Sequence, residues 1–246
     1  MLEHLRTARG VMRSLGVYYG DRRRNAAMDR LYADFIRPGD VVFDIGAHVG
    51  DRISAFRRLG ATVVAVEPQP ALVRTLKLIY GRDKSVIIIP TAIGRAAGRT
   101  ALMINLANPT ISTASPAFLS AANGAAGWEG QVWDKAIDVG VTTLDALIAA
   151  HGKPSFIKID VEGYEEEALA GLTQPVAALS FEFTTIQRGV AHACLERCVA
   201  LGYADFNAAI GESQELGAWR SAGEMSDWIE RLPHAANSGD VYARLA

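Results

Sequence analysis

The segment 41–50 constrains the fold of this chain more than any other part of the sequence. It is an apolar run followed by a turn that contains Gly46 and Gly50. A continuous apolar run is typical of a parallel strand buried on both faces, and glycine lets a backbone turn tightly or approach a neighbour closely. A second apolar run at 62–66 ends in Glu67 and Pro68. The pattern predicts a strand, a glycine turn, a helix start and a second strand that ends in an acid.

The rest of the chain alternates strand and helix patterns. We predict helix over residues 1 to about 37, then strands at 41–46, 62–66, 86–89, 156–160, 177–183, 204–210 and 240–245, and helices at about 50–59, 70–81, 144–150, 165–170 and 190–201. Residues 100–106 are a candidate extra strand, and 107–138 are predicted to be a long loop. This alternation favours a doubly wound α/β fold with a parallel sheet. We expect a helical segment over 1–39 and one domain over 40–246.

Composition narrows the function classes. The chain has 246 residues and is 50% hydrophobic, which is enough to form one large domain with a hydrophobic core. Its formal net charge of −2 lacks the excess of basic residues that is typical of nucleic-acid-binding proteins. No apolar stretch reaches the roughly 18–20 residues of a membrane span, and the N-terminus lacks the apolar core of a signal peptide. A cytoplasmic location is therefore expected. The run Arg22–Arg24 is interpreted as a solvated basic face.

The potential metal ligands show no recognisable spacing. Cys194 and Cys198 lie one helical turn apart and are interpreted as small buried residues. The histidines, at positions 4, 48, 151, 192 and 234, are scattered. The sequence therefore predicts no metal site; Asp160 and Glu182 leave a metal-assisted mechanism open, but no pattern in the sequence supports it.

Acids lie at the carboxyl ends of four of the first five predicted strands. They are Asp44, Glu67, Asp160 and Glu182. In doubly wound sheets ligands bind beyond the carboxyl ends of the strands. A carboxylate after the second strand can accept both hydroxyls of a ribose, whereas Asp44 before the glycine turn would repel a pyrophosphate. It suits a ligand with an ammonium and a sulfonium, and S-adenosylmethionine is such a ligand.

Three segments resemble the FkbM family of S-adenosylmethionine-dependent methyltransferases. They are 43–50, 66–70 and 157–165, and the link 142–147 is also similar, so that the resemblance covers roughly residues 40–185. It implies a class I methyltransferase (Rossmann-like) fold with a seven-stranded sheet whose last strand is antiparallel. It also implies methyl transfer, usually to a hydroxyl oxygen of a sugar or another small molecule. His48 stands where many members carry Asn.

The cofactor-binding residues are predicted in three groups. The methionine end is assigned to Asp44, Gly46, Ala47, His48 and Gly50, the ribose to Glu67 with Pro68, and the adenine to Ala92 and Ile93; Asp160 is expected near the transferred methyl. The alternatives are a turn without a ligand, a Glu67 side chain that caps the helix starting near Pro70, and core packing of Ala92 and Ile93.

Three residues are candidates for catalysis. Asp160 would orient the acceptor or act as a base, and Glu182 would face the acceptor or serve as a helix cap or a partner of Lys158. His48 has the reference pKa of a base near neutral pH, but a hydrogen-bonding structural role is favoured. Lys158 is expected to pair with Asp160 or Glu162, because buried charges need partners.

The predicted loop 107–138 contains Ser112, Thr113, Trp128 and Trp133. We interpret it as a lid over cofactor and acceptor, with packing of the tryptophans on the sheet as the alternative. Two other functions stay open: a non-catalytic cofactor-binding or scaffold protein, and a nicotinamide-dependent oxidoreductase, which would need a glycine-rich phosphate turn that is missing here. The acceptor and the oligomeric state do not follow from the sequence.

Overall fold

The computed structural model describes residues 2–245, and of residues 2 and 4 only the backbone. The predicted segments 1–39 and 40–246 begin and end at residues 1 and 246, which lie outside the described residues. The side chain at position 4 is also not described. The helices are α1 Leu2–Tyr19, α2 Arg22–Tyr32, α3 Asp51–Arg58, α4 Pro70–Tyr80, α5 Pro116–Ala122, α6 Leu144–His151, α7 Glu165–Ala170, α8 Arg188–Ala200 and α9 Ala222–Arg231. The strands are β1 Val41–Ile45, β2 Thr62–Val66, β3 Val86–Ile89, β4 Ala92–Ile93, β5 Gly98–Ile104, β6 Lys135–Thr142, β7 Phe156–Ile159, β8 Ala178–Thr184, β9 Tyr203–Ile210 and β10 Ser238–Leu245. Short 3-10 helices cover Pro109–Ile111 and His234–Ala236.

The main sheet has seven strands in the order β3-β2-β1-β7-β8-β10-β9. β10, the last strand of the chain, runs antiparallel to both of its neighbours, and the other pairings are parallel. The chain runs outward from β1 through β2 and β3 and then crosses to β7 on the other side of β1. This reversal of direction opens a crevice at the carboxyl ends of β1 and β7. The predicted class I methyltransferase fold is confirmed.

Hydrophobic clusters cover both faces of this sheet. Phe43 and Ile45 of β1 belong to one cluster and Val42 to the other, and all three are fully buried. Alternate side chains of a strand point to opposite faces, so a strand covered on both faces must be apolar throughout. This arrangement explains the continuous apolar run that the sequence shows at β1.

A second sheet departs from the sequence-based prediction. It has three strands in the order β4-β6-β5, and β6 pairs antiparallel with β5 from Lys135 opposite Ile104 to Val141 opposite Gly98. The predicted long loop 107–138 was therefore wrong, since it contains a 3-10 helix, α5 and the first part of β6. Pairing between distant segments stabilises β6, and the local pattern did not reveal it.

Two further helices had local signals that the prediction missed. Ser115 caps α5 by accepting from the Phe118 N–H. Ser221 and Glu224 form a reciprocal capping box at the start of α9, a recognised N-terminal signature.

The N-terminal helices pack onto the domain. Asp21 caps α2, and Met28 and Tyr32 of α2 lie fully buried in the same cluster as Val42. α1 packs against α4 and the 3-10 helix at 109–111. Within residues 2–245 no helix combines the length and the hydropathy that crossing a bilayer requires.

Candidate active site

A cavity of about 300 Å³ lies over the carboxyl ends of β1, β2, β7 and β8. All the predicted site residues except Gly50 line it, namely Asp44, Gly46, Ala47, His48, Glu67, Pro68, Ala92, Ile93, Asp160 and Glu182. The cavity continues past Thr184 to Asn237 and Ser238, at the start of the antiparallel strand β10. Its size is at the lower end of the range for small-molecule pockets.

The two turn glycines are required by neighbouring protein atoms. A Cβ on Gly46 would lie 1.7 Å from the Asp160 carbonyl oxygen, and one on Gly50 would lie 2.6 Å from Cε2 of Tyr80. Both glycines also have positive φ angles, 84° and 87°, which side chains disfavour. Gly46 therefore allows β1 and β7 to approach at the cavity floor, whereas Gly50 lets α3 pack against α4 and does not reach the cavity.

Glu67 holds the glycine turn in place. Its Oε2 accepts from the His48 N–H at 3.0 Å and its Oε1 from the Gln69 N–H at 2.8 Å. The N-cap of α4 is Gln69, so Glu67 binds the backbone ahead of the helix without being its cap. Burial raises the pKa of Glu67 to about 8, although the two backbone N–H groups lower it.

Asp44 is a buried acid with an unused oxygen. The residue is 2% exposed, and its Oδ2 has no hydrogen-bond partner among the described residues. Burial raises its pKa to about 7, with a further increase from Asp51 and an opposing effect of Arg52. A buried carboxylate without a partner is costly, so Asp44 is suited to a cationic or hydrogen-bonding ligand.

Part of the cavity lining is apolar. Ala92 and Ile93 form β4, are 7% and 2% exposed, and line the cavity. The neighbouring Thr91 has a buried Oγ1 that lacks a hydrogen-bond partner in the described part of the chain. Small apolar groups beside an unpaired hydroxyl can hold a flat heterocycle and bind its polar edge.

Asp160 and Lys158 form the predicted ion pair, with one addition. The Lys158 Nζ lies 3.1 Å from Asp160 Oδ2 and 2.6 Å from Oδ1 of Asp240 on β10. Burial raises the pKa of Asp160, but Lys158 and Arg52 outweigh that effect and hold it below its usual value. Lys158 thus pairs with Asp160 and Asp240, and its hydrogen bonds do not include Glu162 or Glu182.

Three carboxylates converge beside this pair. One oxygen each of Asp160, Glu162 and Glu182 lies within 4.8 Å of the other two. Burial and the neighbouring carboxylates raise the pKa of Glu162 and of Glu182 well above the usual range. Glu162 lies beyond the strand, since β7 ends at Ile159 and Glu162 has a φ angle of 54°. The turn, rather than strand alternation, brings Glu162 to the cluster.

His48 connects the glycine turn to the segment above it. Its Nε2 lies 3.3 Å from Thr110 Oγ1, and its ring packs edge-on against Tyr18. Burial lowers the pKa of His48, which favours the neutral imidazole. The contact with Thr110 fits the structural role that we favoured for this residue.

The cavity is covered by residues 105–134, which we term the cover segment. Five of its residues line the cavity: Thr110, Ile111, Ser112, Ala114 and Trp128. Trp133 Nε1 donates to the Ile111 carbonyl at 2.7 Å, and Thr113 Oγ1 donates to the Glu162 carbonyl at 2.6 Å. Trp128 is 8% exposed, and its Nε1 has no hydrogen-bond partner in the described structure.

A charged network that the sequence did not predict contributes to the cavity lining. Asp51 binds Arg24 at 2.8 Å and Arg52 at 2.6 Å, and both arginines contact Glu212. Asp51, Arg52 and Glu212 line the cavity. Arg24 is thus not simply part of a solvated basic face, whereas Arg22 and Arg23 are exposed as expected. One local indication of this network is present in the sequence, since the acid Asp51 follows the glycine turn directly at the start of α3.

The sequence profile of the "Methyltransferase FkbM domain" matches residues 44–231. This span includes most of the main sheet and the predicted site residues. The chain belongs to the FkbM methyltransferase family. It is therefore an S-adenosylmethionine-dependent methyltransferase, as the resemblance in the sequence implied.

Solved structures with a similar arrangement are distant in sequence from this FkbM protein. A precorrin-6y C5,15-methyltransferase from Geobacter metallireducens is 13% identical with a TM-score of 0.44, over 91% of this chain and 87% of that one. A TehB-like methyltransferase from Corynebacterium glutamicum is 12% identical with a TM-score of 0.46, over 89% and 88%. Fibrillarin from Aeropyrum pernix, in complex with S-adenosyl-L-methionine, is 8% identical with a TM-score of 0.45, over 84% and 67%. No curated protein sequence matches the chain.

The cavity of this FkbM protein fits its cofactor. S-adenosylmethionine has a cationic amino-acid end, a ribose with two hydroxyls and a flat adenine. The cavity lining includes the Asp44 carboxylate, whose Oδ2 has no partner among the described residues, the Glu67 carboxylate, and the apolar residues Ala92 and Ile93. The donor set matches the three parts of the cofactor. Gly50 does not line the cavity, so it would affect cofactor binding only by allowing the conformation of the turn.

Proposed function

We propose that this FkbM protein methylates a hydroxyl oxygen of a polar small molecule, sugar or glycan. In this proposal the ends of β1, β2 and β3 bind the cofactor, with Asp44 at its amino-acid end, Glu67 with Pro68 at the ribose, and Ala92 with Ile93 at the adenine. The carboxyl ends of β7 and β8 and the start of β10 bind the acceptor.

The observation that supports this proposal is the chemistry of the acceptor half of the cavity. Its lining includes Asp160 and Glu182, the amide and hydroxyl of Asn237 and Ser238, and the Trp128 ring. Carboxylates accept hydrogen bonds from hydroxyl groups, and an aromatic ring can pack on the apolar face of a sugar. The Trp128 N–H, which has no partner among the described residues, would donate to an acceptor oxygen.

The residues of this half would orient the nucleophile. When bound, S-adenosylmethionine supplies an electrophilic methyl group on a sulfonium. Asp160, held by Lys158 at 3.1 Å, would accept a hydrogen bond from the acceptor hydroxyl and align its oxygen lone pair with the methyl carbon. Positioning of this kind contributes most of the rate enhancement expected for such a displacement.

An acceptor panel with product analysis tests the proposal. The purified protein is incubated with methyl-labelled S-adenosylmethionine and a panel of sugars, polyols, amines, thiols, activated carbon acids and RNA. We expect turnover with hydroxyl acceptors and a product whose labelled methyl has the NMR shift of a methyl ether. A methyl found on nitrogen, carbon, sulfur or RNA would contradict the proposal.

Calorimetry with the cofactor provides the control for an inactive panel. Binding of S-adenosylmethionine, but not of NAD, that is weakened by Asp44→Asn would support the cofactor half of the assignment. Cofactor binding without turnover on any member of the panel would favour the non-catalytic alternative.

A further inference from the structure

We propose that Asp160, Glu162 and Glu182 bind a divalent cation of the Mg²⁺ or Mn²⁺ type at the acceptor end of the cavity. The role of this cation in catalysis rests on the proposed hydroxyl methylation, but its binding does not.

The geometry of the three carboxylates suits a single small ion. One oxygen of each lies within 4.8 Å of the others. Around one Mg²⁺, with metal–oxygen distances of about 2.1 Å, ligand oxygens are about 3–4 Å apart. The three side chains would close onto an ion by small rotations, and all three line the cavity, so substrate or water oxygens can complete the coordination.

Among the described residues, Lys158 neutralises this cluster only in part. Lys158 donates to Asp160, but it binds Asp240 more closely, at 2.6 Å against 3.1 Å. Its one positive charge is thus shared between two carboxylates, while Glu162 and Glu182 add two more acids. Three carboxylates at this spacing cannot all be charged without strong repulsion, and a divalent cation would remove that repulsion.

The Glu162 side chain provides independent support. The residue is 8% exposed, and no hydrogen bond from the described residues reaches its carboxylate, although its backbone carbonyl accepts from Thr113 at 2.6 Å. Glu182 Oε2 is likewise buried and without a partner in the described chain. Buried polar atoms are nearly always paired, and oxygen atoms that are left over at a cavity wall are what a hard cation binds.

The cation would prepare the acceptor for methyl transfer. A hydroxyl oxygen coordinated to a divalent ion loses its proton to solvent more readily. That oxygen then uses its electron pair for the new bond to the methyl carbon, while the methyl–sulfur bond breaks and its electron pair stays on sulfur. The ion is neither oxidised nor reduced.

Manganese binding tests the site without any substrate. The protein is treated with EDTA, freed of the chelator and titrated with Mn²⁺, and free Mn²⁺ is measured by electron paramagnetic resonance. We expect one Mn²⁺ per chain, displaced by Mg²⁺, and a Kd that is at least about 10-fold higher in Glu162→Gln and in Glu182→Gln. Asp138→Asn is the matched control, because Asp138 is an exposed acid paired with Arg99 on the surface, and its Kd should equal that of the wild type.

The variants should fold, because each replaces a crowded carboxylate by a neutral amide of the same shape. Their melting temperature in EDTA should equal or exceed that of the wild type. The inference is overturned if the wild type binds no Mn²⁺, or if both glutamine variants bind it as tightly as the wild type.

Activity measurements separate this inference from the proposed function. Turnover on hydroxyl acceptors that is unaffected by EDTA would leave the proposed function standing and overturn the catalytic role of the cation. Mn²⁺ binding at the cluster together with methylation of a different kind of atom would leave the cation site standing and overturn the proposed function.

Discussion

At the scale of single residues, the site depends on acids that are buried before any ligand is bound. Burial raises the pKa of Asp44 to about 7 and that of Glu67 to about 8. The two side chains differ in their partners. Glu67 accepts two backbone hydrogen bonds, whereas Asp44 has an oxygen without a partner in the described part of the protein. Glu67 therefore shapes the turn and keeps acceptor sites for a ligand, while Asp44 has one oxygen that only a ligand would pair.

Asp44→Asn should stabilise the ligand-free protein increasingly as the pH rises. The pKa of Asp44 is raised by folding from 3.8 to about 7, so the folded state holds the proton more tightly and the wild type loses stability between these values. The difference in unfolding free energy should grow by up to about 4 kcal/mol over this range. Urea titrations from pH 4 to pH 8 measure it, with Asp34→Asn, at an exposed acid, as the control. A difference that is constant with pH would contradict the prediction.

Glu67→Gln should weaken cofactor binding through the turn. A glutamine side chain has one acceptor oxygen, so the N–H groups of His48 and Gln69 cannot both keep their bonds. Leaving a buried N–H group without its partner costs about 1–3 kcal/mol, and we expect the Kd of S-adenosylmethionine to rise about 10-fold. Calorimetry measures this Kd. Glu224→Gln is the matched control, because Glu224 also accepts from a backbone N–H, that of Ser221 at 2.8 Å, but lies outside the cavity lining.

At the scale of elements, the cover segment is an ordered part of the fold. Phe118 of α5 is fully buried and packs edge-on against Trp128 and Trp133. Thr113 ties the segment to the turn after β7. Deleting residues 115–130 would therefore remove a buried cluster together with any lid function, and a single substitution is the better test of the lid hypothesis.

Trp133→Phe should raise the KM for the acceptor and leave kcat nearly unchanged. The substitution keeps an aromatic ring but removes the hydrogen bond from the indole to the Ile111 carbonyl, next to residues that line the cavity. A bond of this kind contributes about 1 kcal/mol, so the KM should rise about 5-fold. Steady-state kinetics measure it, with Trp228→Phe on α9, outside the cavity lining, as the control. An unchanged KM would indicate that Trp133 only packs on the fold.

At the scale of the whole molecule, Lys158 connects the site to the sheet topology. It lies on β7, is 1% exposed, and pairs with Asp240 on β10, two strands away in the sheet. The antiparallel insertion of β10 between β8 and β9 places Asp240 at this edge. The last strand of the chain thus supplies the carboxylate of Asp240, which pairs with the buried Lys158 beside the cavity.

Lys158→Met should destabilise the fold by about 3–5 kcal/mol, because it leaves the buried carboxylate of Asp240 without its partner. Chemical denaturation at pH 7 measures the loss. In the double variant Lys158→Met/Asp240→Asn much of the stability should return, since the uncompensated charge is removed together with its partner. If the two single losses simply add, the ion pair is not the source of the effect.

The sequence by itself determined the parallel strands, the glycine turn and the acids at the strand ends. These features follow from neighbouring residues, since a strand covered on both faces must be apolar and a tight turn needs glycine. The tertiary structure alone decided which side chains meet. The contact of Gly46 with the Asp160 carbonyl, the pairing of β5 with β6 and the ion pair of Lys158 with Asp240 each join segments far apart in the chain. Glu162 joins the carboxylate cluster through a turn with positive φ, which strand periodicity does not reveal.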